Sequence, residues 1–394
     1  MDNILFLDGE TSIYNNGNPF DPRNFLVSYV TILNDKCDFK YYTDPDFRNY
    51  ATQQLVSCDI LCGFNAKFDV HWLRNIGVVI PDHVKIWDLQ LAEFIYSGQS
   101  LPYDSLDEAC NRYGLPRKPD LVREFWSRGI STEHIPIPIL QEYNVHDVET
   151  NRALYAIQQD LLDERQKNLV LLEGEDLKTL QSAEYAGIKY DVDRAEHLVL
   201  EQANKLSELK QSLFRYLPDG IPDGCFNWNS GDHLSAFLYG GEIKFDYPVS
   251  TESVYKSGDK KGETYTRNRW LHTTISFPQR FKPLEGTEVA KTKERPPWET
   301  HFYQTDAPTL QQLKAKTKES KDILSTLHTL AKEEKIGGMA ESLLKKMKEM
   351  HWENNMLHPS FNQNVVVTGR LSSSTPNMQN QPPEIGKLLV SRYV

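Results

Sequence analysis

The stretch Ile4-Leu5-Phe6-Leu7-Asp8-Gly9-Glu10-Thr11 decides how the chain is read. Four apolar residues in a row read as a strand buried on both faces, the kind found in parallel or mixed sheets. The run ends in two carboxylates two positions apart. On a strand such residues project from the same side, so Asp8 and Glu10 are expected to stand together at the end of a buried element. Close anions repel unless a shared proton or divalent cations neutralise them. Taken alone, the triplet is also compatible with a solvated turn.

Two later stretches change that. In Leu61-Cys62-Gly63-Phe64-Asn65-Ala66-Lys67-Phe68-Asp69, the residues Asn65 and Asp69 stand four apart and share one face of a helix, with Phe68 beneath them. In Tyr143-Asn144-Val145-His146-Asp147, the same spacing joins Tyr143 to Asp147. Taken in this order, the three motifs resemble the DEDD superfamily of 3′–5′ exonucleases, in the form with tyrosine at the third motif. The histidine form needs His five residues before Asp147, where Glu142 stands, so His146 reads as an incidental neighbour.

The resemblance implies an α/β fold with an RNase H-like mixed sheet over residues 1–165. It also implies two divalent cations, Mg²⁺ or Mn²⁺. Asp8 would bridge them, Glu10 and Asp147 would complete the first site, and Asp69 would serve the second. Tyr143 would orient the attacking water. Thr11, Asn65 and Phe68 would touch the terminal nucleotide; a helix cap and a core aromatic are the plain alternatives for the last two. The residue types suit the chemistry, because carboxylate oxygens are natural ligands for hard cations. A cation pair neutralises charge on both the attacking and the leaving oxygens of a phosphodiester.

The chain has 394 residues and 39% hydrophobic content, enough for two or three globular domains. No apolar run approaches the ~18 residues that span a membrane, and the start lacks a basic leader. Five scattered cysteines (37, 58, 62, 110 and 225) offer no zinc-ligand pattern. A reducing cytoplasm, that of an infected bacterial host, is the expected location. The net charge of −11 argues against general nucleic-acid binding. Residues 1–150 nevertheless hold 22 acidic and 12 basic residues, whereas the rest hold 33 and 32. The acidity therefore gathers where the carboxylate site is expected.

Strands are predicted at 25–33 and 59–63, and a helix after Ile86-Trp87, with Asp88 as its cap first and a site residue second. Ser105 and Gly114 bracket another helix. From about 152 to 217 the pattern is helical. A helix over 171–186 stops at Gly187, a short strand spans 188–191, and Asp191 or Asp193 caps a helix over about 194–213. This succession resembles the join between exonuclease and thumb in family A DNA polymerases, of the bacterial polymerase I and phage replicase type. Cys225-Phe226-Asn227-Trp228-Asn229-Ser230 resembles that family's Phe-Asn-x-x-Ser element before a short helix.

Residues 243–302 read as a polar insertion, with a strand pair in 264–275 and a hairpin tip at Gly258-Asp259-Lys260-Lys261-Gly262-Glu263. Lys260, Lys261, Arg267, Arg269, Arg280 and Lys282 are candidate DNA contacts there; solvated cations are the alternative. Thr305-Asp306-Ala307-Pro308 is expected to cap a helix, and Gly337-Gly338 to break the one over 332–348. Residues 166–350 are thus read as linker helices and thumb.

The run Val367-Thr368-Gly369-Arg370-Leu371-Ser372-Ser373, followed by Pro376-Asn377-Met378-Gln379-Asn380, closely resembles the segment that opens the family A palm. Residues 351–394 are read as the start of that palm. The resemblance implies that Arg370, Gln379 and Asn380 approach primer–template DNA; the family's arginine near 383 is replaced by Pro383. The chain ends before the family's first catalytic palm motif. It is therefore expected not to polymerise alone, and a second polypeptide carrying fingers and palm is the expected partner, covering an exposed apolar edge at 388–390. An expressed fragment serving as a DNA-binding scaffold and a stand-alone RNA-processing exonuclease are the alternatives. The compact exonuclease joined directly to thumb and palm suggests phage origin.

Overall fold

The computed structural model describes residues 2–116, 121–254, 257–258, 263–289 and 302–390. The chain divides into two compact units, residues 1–195 with 342–394, and residues 196–341. No helix among the described residues is long and apolar enough to cross a membrane. All five cysteines are free.

The first unit is built on a five-stranded mixed sheet. β1 (Ile4–Thr11), β2 (Leu26–Leu33) and β3 (Lys36–Tyr41) form an antiparallel meander. α1 (Phe47–Val56) then leads to β4 (Ile60–Gly63), α2 (Ala66–Asn75) and β5 (Lys85–Asp88). β4 and β5 add in parallel on the other side of β1, giving the order β3-β2-β1-β4-β5. Alternation along β1 sorts its side chains into two cores. Leu5 and Leu7 join Leu26, Tyr29, Leu55 and Trp72 on one face. Phe6 joins Val30, Ile32, Trp87, Val148 and Leu154 on the other. Covered on both faces, the first half of β1 must be apolar, and Ile4–Leu7 is. Each fully buried Leu contributes about 2 kcal/mol.

Helices complete both layers. α3 (Leu89–Tyr96) and α4 (Leu106–Tyr113) are capped by Asp88 and Ser105, the latter with Glu108 in a capping box, and α4 closes at Gly114. α5 (Leu121–Ser127) precedes the long α6 (Ile137–Leu161). Helical structure thus begins before Tyr143, with Pro at the first turn, where a missing N–H costs nothing. α7 (Glu164–Ala186) ends at Gly187, and Gly174 brings it against β5. β6 (Ile188–Tyr190) follows.

α8 (Val192–Phe214), capped by Asp191, leads into the second unit. There α9 (Gly231–Tyr239) is capped by Ser230, and β7 (Gly241–Val254) and β8 (Thr264–Phe277) form a long antiparallel ribbon. The expected strand pair within 264–275 is instead a single strand paired to 241–254. The start of the supposed insertion is core: Ile243, Phe245 and Phe277 pack with Phe226, Trp228, Phe237 and Leu310. Lys260, Lys261 and most of the expected hairpin tip lie outside the described residues. α10 (Ala307–Gln312) is capped by Asp306. α11 (Lys318–Glu349) runs unbroken through Gly337-Gly338, correcting the expected break. Good helix formers flank the pair, and a Cβ on Gly337 would lie 3.2 Å from that of Gln202, so this glycine serves close approach.

The last segment returns to the first unit. β9 (Met356–Leu357), β10 (Ser360–Asn362), β11 (Ser372–Ser374), α12 (Pro383–Gly386) and β12 (Leu389–Val390) form two small sheets. β10 pairs with β11, and β6 lies between β12 and β9. The apolar edge expected at 388–390 is therefore not bare. Leu388 is buried, and β12 bonds to β6.

Candidate active site

The site forms at the carboxyl ends of β1, β4 and β5, where the chain turns to opposite sides of β1. In open α/β sheets that is where crevices arise. Phe6, Asp8 and Glu10 share a face, and Phe6 belongs to the core on the α6 side. The two carboxylates therefore look towards α6. Ser28, opposite Glu10 in the ladder, donates to Asn144 Oδ1 at 2.9 Å, which fixes the register of α6 on the sheet. Asp147, one turn on, completes a carboxylate cluster: ligand oxygens of Asp8, Glu10 and Asp147 lie within 4.8 Å of one another. Three carboxylates at this spacing suit a hard divalent cation.

Asp69 reaches the same strand from the other layer. β4 pairs with β1 only over Ile4–Phe6, so beyond it the edge of β1 has no strand neighbour on that side. The Gly9 N–H there donates to Asp69 Oδ1 at 3.0 Å. A Cβ on Gly9 would lie 3.3 Å from that oxygen, which explains glycine between the two acids. Burial pushes the Asp69 carboxyl well above the ordinary carboxylate range; Asp8 adds to the shift, the Gly9 N–H opposes it, and Glu10 and Asp88 add further. A nearby cation would reverse that balance.

Asp88 does more than cap α3. Its Oδ1 accepts from Gln90 N and Leu91 N, and its Oδ2 accepts from Ala66 N at 2.8 Å, the first residue of α2. One buried carboxylate thus anchors the two helices that follow β5 and β4. Burial raises it to about 6, against the four backbone N–H groups that favour its charge. Asn65 occupies the cap position of α2 in a left-handed conformation (φ 58°), but its side chain makes no capping bond.

Glu10 and Thr11 line a cleft of about 420 Å³ with Phe68, Gly17 and Trp126. That is room for a small organic group. Phe68 also lines a second, polar cleft with Asn65, Lys67, Asn362, Asn364 and Tyr103, so the two meet at this ring. Trp126 carried no signal in sequence, being far from every motif. It is tied in through its indole N–H to Thr132 Oγ1, which donates to the Thr11 carbonyl at 2.6 Å. Trp126 also stands edge-on to Tyr143, with ring centroids 5.8 Å apart. Tyr143 is buried one turn before Asp147. His146 Nδ1 lies 3.8 Å from Asp147 Oδ1.

The other expected contacts are separate from this cluster. Arg370, Gln379 and Asn380 are exposed on and after the loop joining β10 to β11, with Gln379 Nε2 donating to the Leu371 carbonyl. Arg280 is not a free cation. Its guanidinium donates to the carbonyls of Phe237 and Tyr216 and lies over the Phe237 ring, so it braces the second unit's core.

Residues 280–390 match the model of the family described as DNA polymerase family A. DNA polymerase I of Bacillus caldotenax is 27% identical over 250 residues, 62% of this chain and 21% of that protein. The DNA polymerase of Bacillus phage SP01 is 24% identical over 348 residues, 84% of this chain and 35% of that protein. Among solved structures, the POL domain of Pol1 from M. smegmatis, in complex with DNA primer-template and dNTP, is similar in fold. Its TM-score is 0.64 at 17% identity, covering 98% of this chain and 54% of that one. The chain thus spans about a fifth to a third of these two curated relatives.

Proposed function

We propose that this chain, whose residues 280–390 match DNA polymerase family A, carries in its first unit a 3′–5′ exonuclease site, of RNase H-like type, that edits DNA ends. The observation that carries the reading is the convergence of Asp8, Glu10 and Asp147 within 4.8 Å, with Asp69 bonded to the intervening Gly9. The donor set is all carboxylate, which fits Mg²⁺ or Mn²⁺. Asp8, Glu10 and Asp147 would hold one cation, and Asp69 would serve a second. Bound there, the pair would supply charge neutralisation on the attacking and leaving oxygens.

The remaining work belongs to the chain's own groups. Phe68, between the two clefts, stacks on the terminal base. Thr11 and Asn65 border the sugar and phosphate. Tyr143, one turn before Asp147, orients the water in line with the scissile bond. The bond between phosphorus and the O3′ of the penultimate nucleotide breaks as the water oxygen adds; that O3′ leaves and takes up a proton, and the terminal residue is released as a nucleoside 5′-monophosphate. Arg370 on the β10–β11 loop, with Gln379 and Asn380 after β11, holds primer–template. Arg suits phosphates, and amides bond minor-groove acceptors without choosing sequence.

The test is digestion of a 3′-labelled single strand with and without Mg²⁺, comparing the chain with its Asp8→Ala/Glu10→Ala variant. Loss of two ligands is expected to cut turnover by at least about 10³-fold, roughly 4 kcal/mol of barrier. Removing mutually repelling anions does not threaten the fold, so lost activity reads on chemistry. Digestion indifferent to the substitutions would overturn the assignment.

A further inference from the structure

The ribbon of the second unit is used by neither the carboxylate cluster nor the β10–β11 loop. Its strands pair from Gly241↔Phe277 out to Val254↔Thr264. Beyond the Tyr247↔Leu271 pair no described residue of either strand is buried. Two strands alone are marginally stable in water, so this length of bare ribbon serves something other than the core.

Its charge is one-sided. From Thr264 to Leu284 there is no Asp or Glu, in a chain of net charge −11. Alternation and register divide the ribbon into two faces. One carries Glu242, Asp246 and Glu252 with Trp270, His272 and Asn268. The other, beyond Leu271, carries Arg269 opposite Val249, Arg267 opposite Thr251, and Tyr265 opposite Ser253. No carboxylate stands on that second face among the described residues, and both arginines are exposed.

We propose that the arginine face of the β7–β8 ribbon binds duplex DNA through its phosphates, with Arg267 and Arg269 as the contacts. The inference extends the DNA-holding reading above and is independent of the nuclease site. Residues two apart on a strand are about 6.8 Å apart, a reach comparable with that between neighbouring phosphates of a DNA strand, whose charges rise ~3.4 Å each along the helix axis. The guanidinium fork bonds phosphate oxygens in pairs. A single strand is the poorer fit, because single-strand platforms depend on successive aromatic stacking, and beyond Leu271 the arginine face carries one aromatic among the described residues, Tyr265, while the exposed Trp270 lies on the opposite face. A protein adding a strand is poorly matched as well, since Pro248 interrupts the donor row of β7.

The test uses the full chain and a fluorescein-labelled duplex, read by anisotropy over a salt series. Each phosphate contact adds about 0.9 to the slope of log affinity against log salt. Arg267→Gln/Arg269→Gln is expected to lower that slope by about 1.8, and Arg267→Lys/Arg269→Lys to retain it. Trp270→Ser, on the far face, is expected to leave the slope unchanged. Circular dichroism checks that each variant is folded. An unchanged slope in the Gln variant overturns the proposal. So does an equal loss in the Lys and Gln variants, which would mean that charge is not the cause. A loss seen with a single strand but not with duplex also overturns it. Mg²⁺-dependent digestion of a short single strand by the Trp270→Ser variant separates this outcome from failure of the nuclease assignment, and is expected to match that of the unsubstituted chain.

Discussion

The five-stranded sheet and the β7–β8 ribbon are both strand structures with charged residues, and they treat charge in opposite ways. Every residue of β2 is buried, and helices cover both faces of the sheet. Asp69 and Asp88 are held at its end at a cost visible in their raised proton affinity. Among the described residues the outer ribbon has no layer over it, and Arg267 and Arg269 are exposed. Two-sided burial leaves these carboxylates held by backbone N–H groups, Asp69 by Gly9 and Asp88 by Ala66, Gln90 and Leu91. An exposed ribbon leaves charges cheap and adjustable, which suits contact with a regular polyanion.

The contrast is broken most severely where the sheet is most closely packed. Gly174, midway along α7, lies so near β5 that a Cβ would stand 2.1 Å from the Ile86 carbonyl oxygen. No side-chain rotation relieves a clash with backbone, so α7 must shift off the sheet. Gly174→Ala is expected to cost about 3 kcal/mol, the upper range for overpacking, seen as a lower midpoint in urea unfolding. A stability equal to wild type would mean that the layers are more yielding than the fold implies.

A buried ion cluster provides the next test. Glu184 of α7 accepts from Lys67 Nζ and bonds His71 Nε2, each at 2.7 Å, and takes the Phe361 N–H at 2.6 Å. It thereby ties α2, which carries Asp69, to β10. Burial pushes its carboxyl up, but His71, Lys67 and Phe361 together outweigh that, and the net shift is below its ordinary 4.5. A depressed value means that the stabilisation is complete above pH 4.5 and is lost as pH falls through the folded-state value. Glu184→Gln, leaving Lys67 buried without its anion, is expected to cost about 3 kcal/mol at neutral pH. The gap to wild type should narrow as unfolding is measured at successively lower pH below 4.5. A gap independent of pH would show that the carboxylate's charge is not what holds α2 to β10.

These partners explain what could and could not be read from sequence. Asp8 and Glu10 were legible because strand period alone puts them on one face. Tyr143 and Asp147 do lie one turn apart on α6, but Asn65, expected to share a helix face with Asp69, stands before α2 in a left-handed conformation, so helix period did not place that pair. Caps at Asp88, Ser105 and Asp306 are local chemistry and were legible too. Glu184 was not: its partners lie 117, 113 and 177 residues away, and no local pattern encodes such pairings. Trp126 joins the cleft only through Thr132 and the Thr11 carbonyl. The ribbon was read as a polar insertion because only its root is apolar, and Ile243, Phe245 and Phe277 become core through pairing across the ladder.

The gentlest test lies in the second unit, where exposure rather than packing governs. Gly338 sits in the interior of α11, exposed, and a Cβ there would meet nothing within 4 Å. Its neighbour Gly337 faces Gln202 and has a packing reason; Gly338 has none in the described residues. An exposed helix-interior glycine costs up to about 1 kcal/mol relative to alanine, through backbone entropy. Gly338→Ala is therefore expected to stabilise by about 0.5–1 kcal/mol, raising the unfolding midpoint. The same chemical change thus carries opposite signs in the two units, since at Gly174 a methyl meets backbone and at Gly338 it meets water. Destabilisation at Gly338 would indicate that this surface of α11 is occupied in solution, and the second unit would then be covered where the contrast takes it to be bare.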